Sequence, residues 1–359
     1  MVGTRLRSQR SPDDAAADGP GGAHDRVVVV GEGRLAERLA VGLGATHVPE
    51  LPDDPTDLLR DAGALVALGH TADFALETTE RNRRDRLVEQ ARRAARAVAE
   101  HGLHGVVVSS AMVCGAAPGR PVIVDDEPRD EVASTSPGVV GRIAAFERAF
   151  EAELSTAGEG DHRSTILRCA ALVGPGVDTL VTRHFEAPRL LVVRDAARGW
   201  QLLHLDDLVT AVRTTLGHGL AGVLTVGPVR DDGTPDALTS DEVAELSGRR
   251  LLTLPASTAF ALAESLHRVG AVPAPPDELA FAVYPWTVDP ARLVAAGWRS
   301  SWSSARCVGV LVEGLRSGLT LAGRRVGARD AAALGAAGAA VALLGTAAVW
   351  RQARGHGHR

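Results

Sequence analysis

The chain contains no lysine. All 39 basic side chains are arginine, and Tyr284 is its only tyrosine. These two absences exclude any chemistry that this chain would run through its own lysine, whether a Schiff base, a P-loop lysine or a tyrosine–lysine proton relay. The three cysteines, Cys114, Cys169 and Cys307, are an odd number with no metal-ligand spacing, which fits a reducing compartment and excludes a disulfide scaffold. The formal charge of −5 supplies no basic field for nucleic acid. No apolar segment follows the early arginines, so a secretory signal is not expected and the chain reads as cytoplasmic. The richness in Ala, Arg and Gly reflects coding bias more than function. With 359 residues, 45% of them apolar, there is ample material for one large domain or two coupled ones.

What is present is a strand–helix rhythm. Residues 1–25 are rich in Gly, Pro, Asp and Arg without apolar period and read as a disordered tail. The β-branched run at 27–30 reads as a strand buried on both faces, followed by Gly31-x-Gly33-x-x-Ala36 and a helical pattern. Further strands are expected at 46–48, 64–68, 105–110, 164–169 and 222–226, with one long helix over 76–101 and another over 143–154. This alternation predicts an α/β fold, a doubly wound parallel sheet spanning 26–230 with a smaller C-terminal lobe at 231–322. In that lobe Thr239 and Glu242 are spaced as a capping box. Residues 331–350 carry no charge and match one bilayer-spanning helix in length, though half are alanine. They form either a C-terminal membrane anchor or an Ala-rich helix, and 351–359 is a tail.

Several residues carry candidate chemistry. In a strand–turn–helix, Gly31 and Gly33 let backbone approach a pyrophosphate at a helix N-terminus, with Ala36 at the helix–sheet contact. An acidic residue about 20 positions on would bind the ribose, and Glu50 and Asp53 lie near that distance. Ser109 and Ser110 end a strand at the carboxyl edge, where such folds place ligands. His204, Asp206 and Asp207 sit at a strand-to-helix junction, where an Asp is by default an N-cap. His184, His356 and His358 have no ligand partners at metal spacing, and no metal site is expected.

These segments resemble the extended short-chain dehydrogenase/reductases, the NAD-dependent epimerase/dehydratase group, in an actinobacterial branch. VVSSAMVCG at 107–115 is similar to the family's V-x-S-S-A-x-V-Y-G, and LRCAALVGPG at 167–176 to L-R-x-x-x-V-Y-G-P-G. QLLHLDDL at 201–208 is similar to Q-x-x-H-V-D-D-V. Asp289, Arg292, Gly297 and Trp298 match D-x-x-R followed by G-W. The resemblance covers 26–318. It implies a Rossmann-like fold binding NAD or NADP at Gly31, Gly33, Ala36 and Ser109. It also implies a nucleotide-sugar substrate near His204, Asp207 and Arg292, Ser110 as the family serine, and a homodimer.

Two departures qualify that picture. Where the family carries Tyr-x-x-x-Lys, this chain has Val139 and Ile143, and Arg142 cannot replace a titratable base. The interval between the glycine turn and the strand at 64–68 holds one strand where the family has two. The 46–48 strand more closely resembles the family's third, which would delete the ribose-binding acid. Two functional expectations follow. One is an enzyme of epimerase/dehydratase type with a non-standard base such as Asp126 or Asp206. The other is a pseudoenzyme that binds a nucleotide or a partner, held at a membrane through 331–350.

Overall fold

The computed structural model describes residues 26–321 apart from 80, 81, 159, 161 and 271. The expected tails at 1–25 and 351–359 and the candidate span at 331–350 lie outside the described residues. Among the described residues no helix is long and apolar enough to cross a membrane.

Strand β1 (Arg26–Val30) leads through the glycine turn into α1 (Gly33–Leu43), then β2 (Thr46–Val48), the short α2 (Thr56–Leu59) and β3 (Ala62–Leu68). Helices α3 (Phe74–Thr79) and α4 (Arg83–Glu100) precede β4 (His104–Ser110), which ends in a 3₁₀ turn over Ala111–Cys114. After α5 (Glu131–Thr135) and α6 (Val139–Thr156) come β5 (Arg163–Cys169), β6 (Ala171–Val173), α7 (Leu180–His184), β7 (Arg189–Val193), β8 (Leu202–His204), α8 (Leu205–Gly217) and β9 (Gly222–Val226).

Six of these strands form one parallel sheet in the order β2-β1-β3-β4-β5-β9. Side chains alternate across it. Val28, Val30, Leu65, Ala67 and Val107 pack with α4 and α6, whereas Val29, Val66, Leu68, Val106 and Val108 pack with α1 and α8. Both faces are covered, which is why the strands read as continuous apolar runs.

The smaller lobe follows: α9 (Ser240–Ser247), β10 (Arg250–Leu254), α10 (Ala256–Arg268), a 3₁₀ turn over Pro276–Leu279, α11 (Ala280–Val283), α12 (Ala291–Ala295) and α13 (Ser304–Leu321). The Thr239–Glu242 capping box forms at the start of α9. Strand β10 pairs with β7, and Leu191, Val193, Ala259 and Val283 make a small core that includes Tyr284, stacked on Phe260.

Two expectations are corrected. The single helix over 76–101 is two helices. Glu77 is drawn inward to accept from the Thr71 N–H at 2.9 Å, and Arg83 is drawn inward to pair with Glu32. Strand β2 does not take the third family position. It pairs directly with β1, the second place in a doubly wound sheet, so the outer strand is the one missing. Glu50 then lies two residues past the end of β2, with Arg86 at 3.8 Å.

The sheet and α6 are tied by a buried ion pair. Glu147 on α6 is fully buried and receives both Nε (3.1 Å) and Nη2 (2.8 Å) of Arg168 on β5. Ser109 on β4 donates to the same carboxylate at 2.5 Å, and Arg129 donates at 3.0 Å. Removing the carboxylate leaves a buried guanidinium uncompensated, so Glu147→Ala should cost about 3–5 kcal/mol in urea denaturation. A loss below about 1 kcal/mol, the range of an exposed pair, would contradict this.

Candidate functional site at the carboxyl edge

Strands β1, β3 and β4 run parallel, so the segments that follow them share one edge of the sheet. At the end of β1, a Cβ on Gly31 would meet the Leu68 Cβ at 2.9 Å, and Gly33 holds φ +82°, a region that favours glycine. Glu32 occupies the N-cap position of α1, yet its side chain does not cap the helix. Its carboxylate turns to Arg83 and Arg86 instead. Burial pushes Glu32 up, but hydrogen bonds from these arginines hold it below the usual carboxylate range. The first N–H groups of α1 thus have no side-chain cap, and Ala36 is buried against the sheet beneath them.

At the end of β4 the two serines part. Ser109 is consumed by Glu147 and does not line the cleft at this edge. Ser110 does line it, and its Oγ accepts from the Met112 N–H at 3.3 Å. The cleft is narrow, with about 50 Å³ of free volume. Val139 and Ile143 of α6 share its wall with Ser110, so the positions of the expected Tyr and Lys do face the site, as apolar side chains.

Sequence reasoning missed three polar groups in this cleft. His70, directly after β3, is buried with an unpartnered Nε2, and burial pushes its pKa down. Its place after a central strand was the available signal. Glu77, three residues into α3, accepts from both the N–H and the hydroxyl of Thr71 at 2.9 Å. Glu278 reaches in from the smaller lobe and accepts from the Val140 N–H at 3.0 Å. It thereby caps α6, packed so closely over Gly138 that a Cβ there would collide with it. Burial raises Glu278 to about 7, against the opposing pull of the Val140 N–H and Arg142. No local pattern marks this residue, because its partner lies 138 positions away.

The other expected site residues lie elsewhere. His204 is the N-cap of α8, with its ring 3.9 Å from that of Trp302. Asp207 accepts from the N–H groups of Ser301 (2.8 Å) and Trp302 (3.0 Å), anchoring the approach to α13. Arg292 pairs with Asp126 at 3.2 Å on the surface. None of the three lines the cleft. Nor do Asp126 and Asp206, the carboxylates considered as replacement bases: Asp126 is bonded to the Val223 N–H, and Asp206 faces Arg38. Tyr284 is held in the core of the smaller lobe. Among the described residues, no group of three His, Cys, Asp or Glu is arranged to hold a metal.

A strap joins the segments that follow β3 and β6, both of which line the cleft. After β3 the Ala72 carbonyl accepts from Asp178 N–H, and Phe74 N–H donates to the Asp178 carbonyl, both at 2.8 Å. Arg183 grips the Asp178 carboxylate through two 2.7 Å bonds and stacks over the Phe74 ring at 4.4 Å. Ala72 holds φ +52°, a strained value for a residue with a Cβ.

No protein-family model matches the chain. Uncharacterized proteins of Mycobacterium tuberculosis and Mycobacterium bovis are 26% identical over 203 residues, covering 55% of this chain and 51% of theirs. The chain thus spans about half the length of the curated relatives it matches. Among solved structures, MoeE5 in complex with UDP-glucuronic acid and NAD is similar at TM-score 0.58 and 20% identity, covering 82% of this chain and 99% of that one. UDP-N-acetylglucosamine 4-epimerase from Bacillus cereus is similar at TM-score 0.54 and 14% identity, over 81% and 99% of the two chains. The dTDP-glucose 4,6-dehydratase from Bacillus anthracis in complex with NAD is similar at 0.56 and 13%, over 82% and 97%. The chain therefore has the Rossmann-like fold of the NAD-dependent epimerases, dehydratases and related short-chain dehydrogenase/reductases.

Glu278 gives a pH signature. Its folded pKa of about 7 lies above the ordinary 4.5, so folding favours the protonated form. That stability is fully present below pH 4.5 and is lost as pH rises through 7, in total about 3 kcal/mol. Glu278→Gln keeps an acceptor for Val140 and removes the ionisation. Urea midpoints of the variant should gain on wild type between pH 5 and 8; parallel profiles would show that Glu278 does not titrate there.

Proposed function

We propose that this chain binds NAD or NADP along the carboxyl edge, with the pyrophosphate at the Gly31–Gly33 turn, and a nucleotide sugar or similar ligand in the cleft beside Ser110. The observation that carries this is an uncapped helix N-terminus behind two constrained glycines, at the same edge of the parallel sheet as a cleft lined by Ser110. The residues fit the group. Gly33 holds φ +82°, which a residue with a Cβ rarely adopts, and the first N–H groups of α1 carry no side-chain cap that an anion would have to displace. Glu50 stands where the ribose-binding acid of such folds sits, past the strand next to β1. That the similar structures hold NAD and UDP-sugars supports the same ligand classes here.

A bound nicotinamide would supply hydride exchange. This chain's own part differs from the tyrosinate scheme, because Val139 and Ile143 hold no proton and no charge. Ser110 Oγ already accepts from Met112, which leaves its O–H to donate to a ligand oxygen. The reading favoured by the apolar α6 wall is a binding protein without tyrosinate chemistry. A second reading, acid/base work by Glu278, is favoured by its burial in the cleft and its pKa of about 7, near the ideal for a general base.

Thermal unfolding of the full chain with millimolar NAD⁺, NADP⁺ and UDP-sugars tests the proposal. A ligand at about 100 times its Kd stabilises by roughly 2.7 kcal/mol, a shift of about 2–4 °C for a chain of this size. Gly33→Val should remove the dinucleotide shift while leaving the sugar-nucleotide shift. No shift with either dinucleotide would overturn the proposal. Because the strap forms part of the cleft wall, entry of an extended dinucleotide is expected to loosen the Ala72–Asp178 pairing. Arg183→Gln should raise its association rate in stopped-flow binding, and unchanged rates would take the strap off the entry path.

A further inference from the structure

We infer that His70 and Ser110 form a hydroxyl-binding pair in the main cleft: His70 Nε2 accepts from an alcohol group of the ligand, and Ser110 donates to the same oxygen. Both residues line the cleft. Strand register brings them there. Leu68 on β3 pairs with Val108 on β4, and the Gly69 N–H donates to the Val108 carbonyl. His70 is two residues past Leu68 and Ser110 two past Val108, at the same edge on neighbouring strands. His70 is 7% exposed, and its Nε2 is buried with no hydrogen-bond partner in the chain. A buried polar atom is costly to leave unpaired, and one on a cleft wall is a place for a ligand's polar group.

The imidazole acts as an acceptor because its surroundings keep it neutral. Burial pushes its pKa below the ordinary value, against the pull of Glu77 and of a hydrogen bond with the Ser109 backbone. A backbone bond that favours the protonated ring is one in which the ring donates to a carbonyl. With Nε2 unpartnered, the donor is Nδ1, and that tautomer leaves the Nε2 lone pair free. Glu77 does not call for a positive ring beside it. Its Oε1 accepts from the N–H and hydroxyl of Thr71, and Arg83 (3.5 Å) and Arg142 (3.7 Å) flank the carboxylate. Ser110 complements the acceptor, since its Oγ accepts from the Met112 N–H and its O–H is left to donate. A ligand hydroxyl satisfies both groups at once, donating to Nε2 and accepting from Ser110. A ketone oxygen could satisfy only Ser110.

The free volume of about 50 Å³ has room for roughly four water-sized atoms, enough for a hydroxyl on a short carbon skeleton. A larger ligand such as a sugar therefore enters by one hydroxyl-bearing corner. Val139, Ile143, Leu172 and Trp286 make the wall around that oxygen apolar, which strengthens the hydrogen bonds made inside it. The pair gives the cleft a proton acceptor on the sheet edge, where α6 offers only Val139 and Ile143. It rests on the reading of the cleft as a ligand site, but not on dinucleotide binding at the glycine turn.

The probe is 2-propanol, and acetone is its counterpart of equal heavy-atom count without the O–H. The ¹⁵N-labelled full chain, at pH 8 and without dinucleotide, is followed by imidazole NMR with His70 assigned through its backbone. Free His70 should be neutral with its proton on Nδ1. Added 2-propanol should shift the Nε2 resonance saturably, and acetone should bind about tenfold more weakly, the loss of one hydrogen bond. By ligand-observed NMR, His70→Phe should weaken 2-propanol alone by a similar factor, and His70→Gln, which keeps an acceptor oxygen, should recover part of the loss. Ser110→Ala should weaken the alcohol and the ketone alike. A proton on Nε2, an Nε2 resonance indifferent to 2-propanol, or equal affinity for acetone would each overturn the inference. All three are read on the wild-type chain, so they stand even where a variant fails to fold. UDP-glucose stabilising the chain while Nε2 ignores 2-propanol would remove the pair and keep the cleft as a ligand site.

Discussion

The bidentate Arg168–Glu147 pair, closed off from water between β5 and α6, is the constraint on which the site geometry rests. Every carboxylate oxygen is engaged, by Arg168, Ser109 and Arg129, so the pair meets the condition under which a buried ion pair holds. Arg168 Nη1 also reaches the Glu127 carbonyl and Cys114 Sγ, tying in the turn after β4. With Ser109 pinned to Glu147, the next residue must point to the other side of the strand, into the cleft. The ion pair thus aims Ser110 without touching it. It also fixes the rotation of α6 and presents Val139 and Ile143 to the same space.

The two ends of α6 are held by different logic. Its interior carries the ion pair, while its N-terminus is capped by Glu278 from the smaller lobe, 138 positions away. A helix start is a favourable place for a carboxylate, but burial opposes its charge, and the balance leaves Glu278 near neutrality. The cleft is consequently a junction between lobes, closed along one side by the Ala72–Asp178 strap and along another by Trp286.

Much of this fold is legible in the sequence. The β-branched run at 27–30, the strands at 46–48 and 222–226, and the Thr239–Glu242 capping box all form where local pattern puts them. Local pattern also places Ser110, Val139 and Ile143, and the structure gathers them on one wall. It fails where long-range pairing decides. Arg83, at the start of α4, pairs with Glu32, 51 residues upstream. Asp126 and Asp206 sit at plausible edge positions but are committed to the Val223 N–H and to Arg38. His204 and Asp207, at a junction that resembles a ligand site, hold Trp302 and the backbone before α13. Glu278 has no local signature at all, since burial and a partner 138 positions away define it.

The central claim is that the carboxyl edge, from the glycine turn to Ser110, is a dinucleotide site. Hydrogen exchange of the full chain, followed by mass spectrometry with and without saturating NAD⁺ or NADP⁺, tests it most directly. The account predicts slowed exchange concentrated at 31–36 and at 69–78, the segments that follow β1 and β3. Exchange unchanged in both segments, with either dinucleotide, would contradict it.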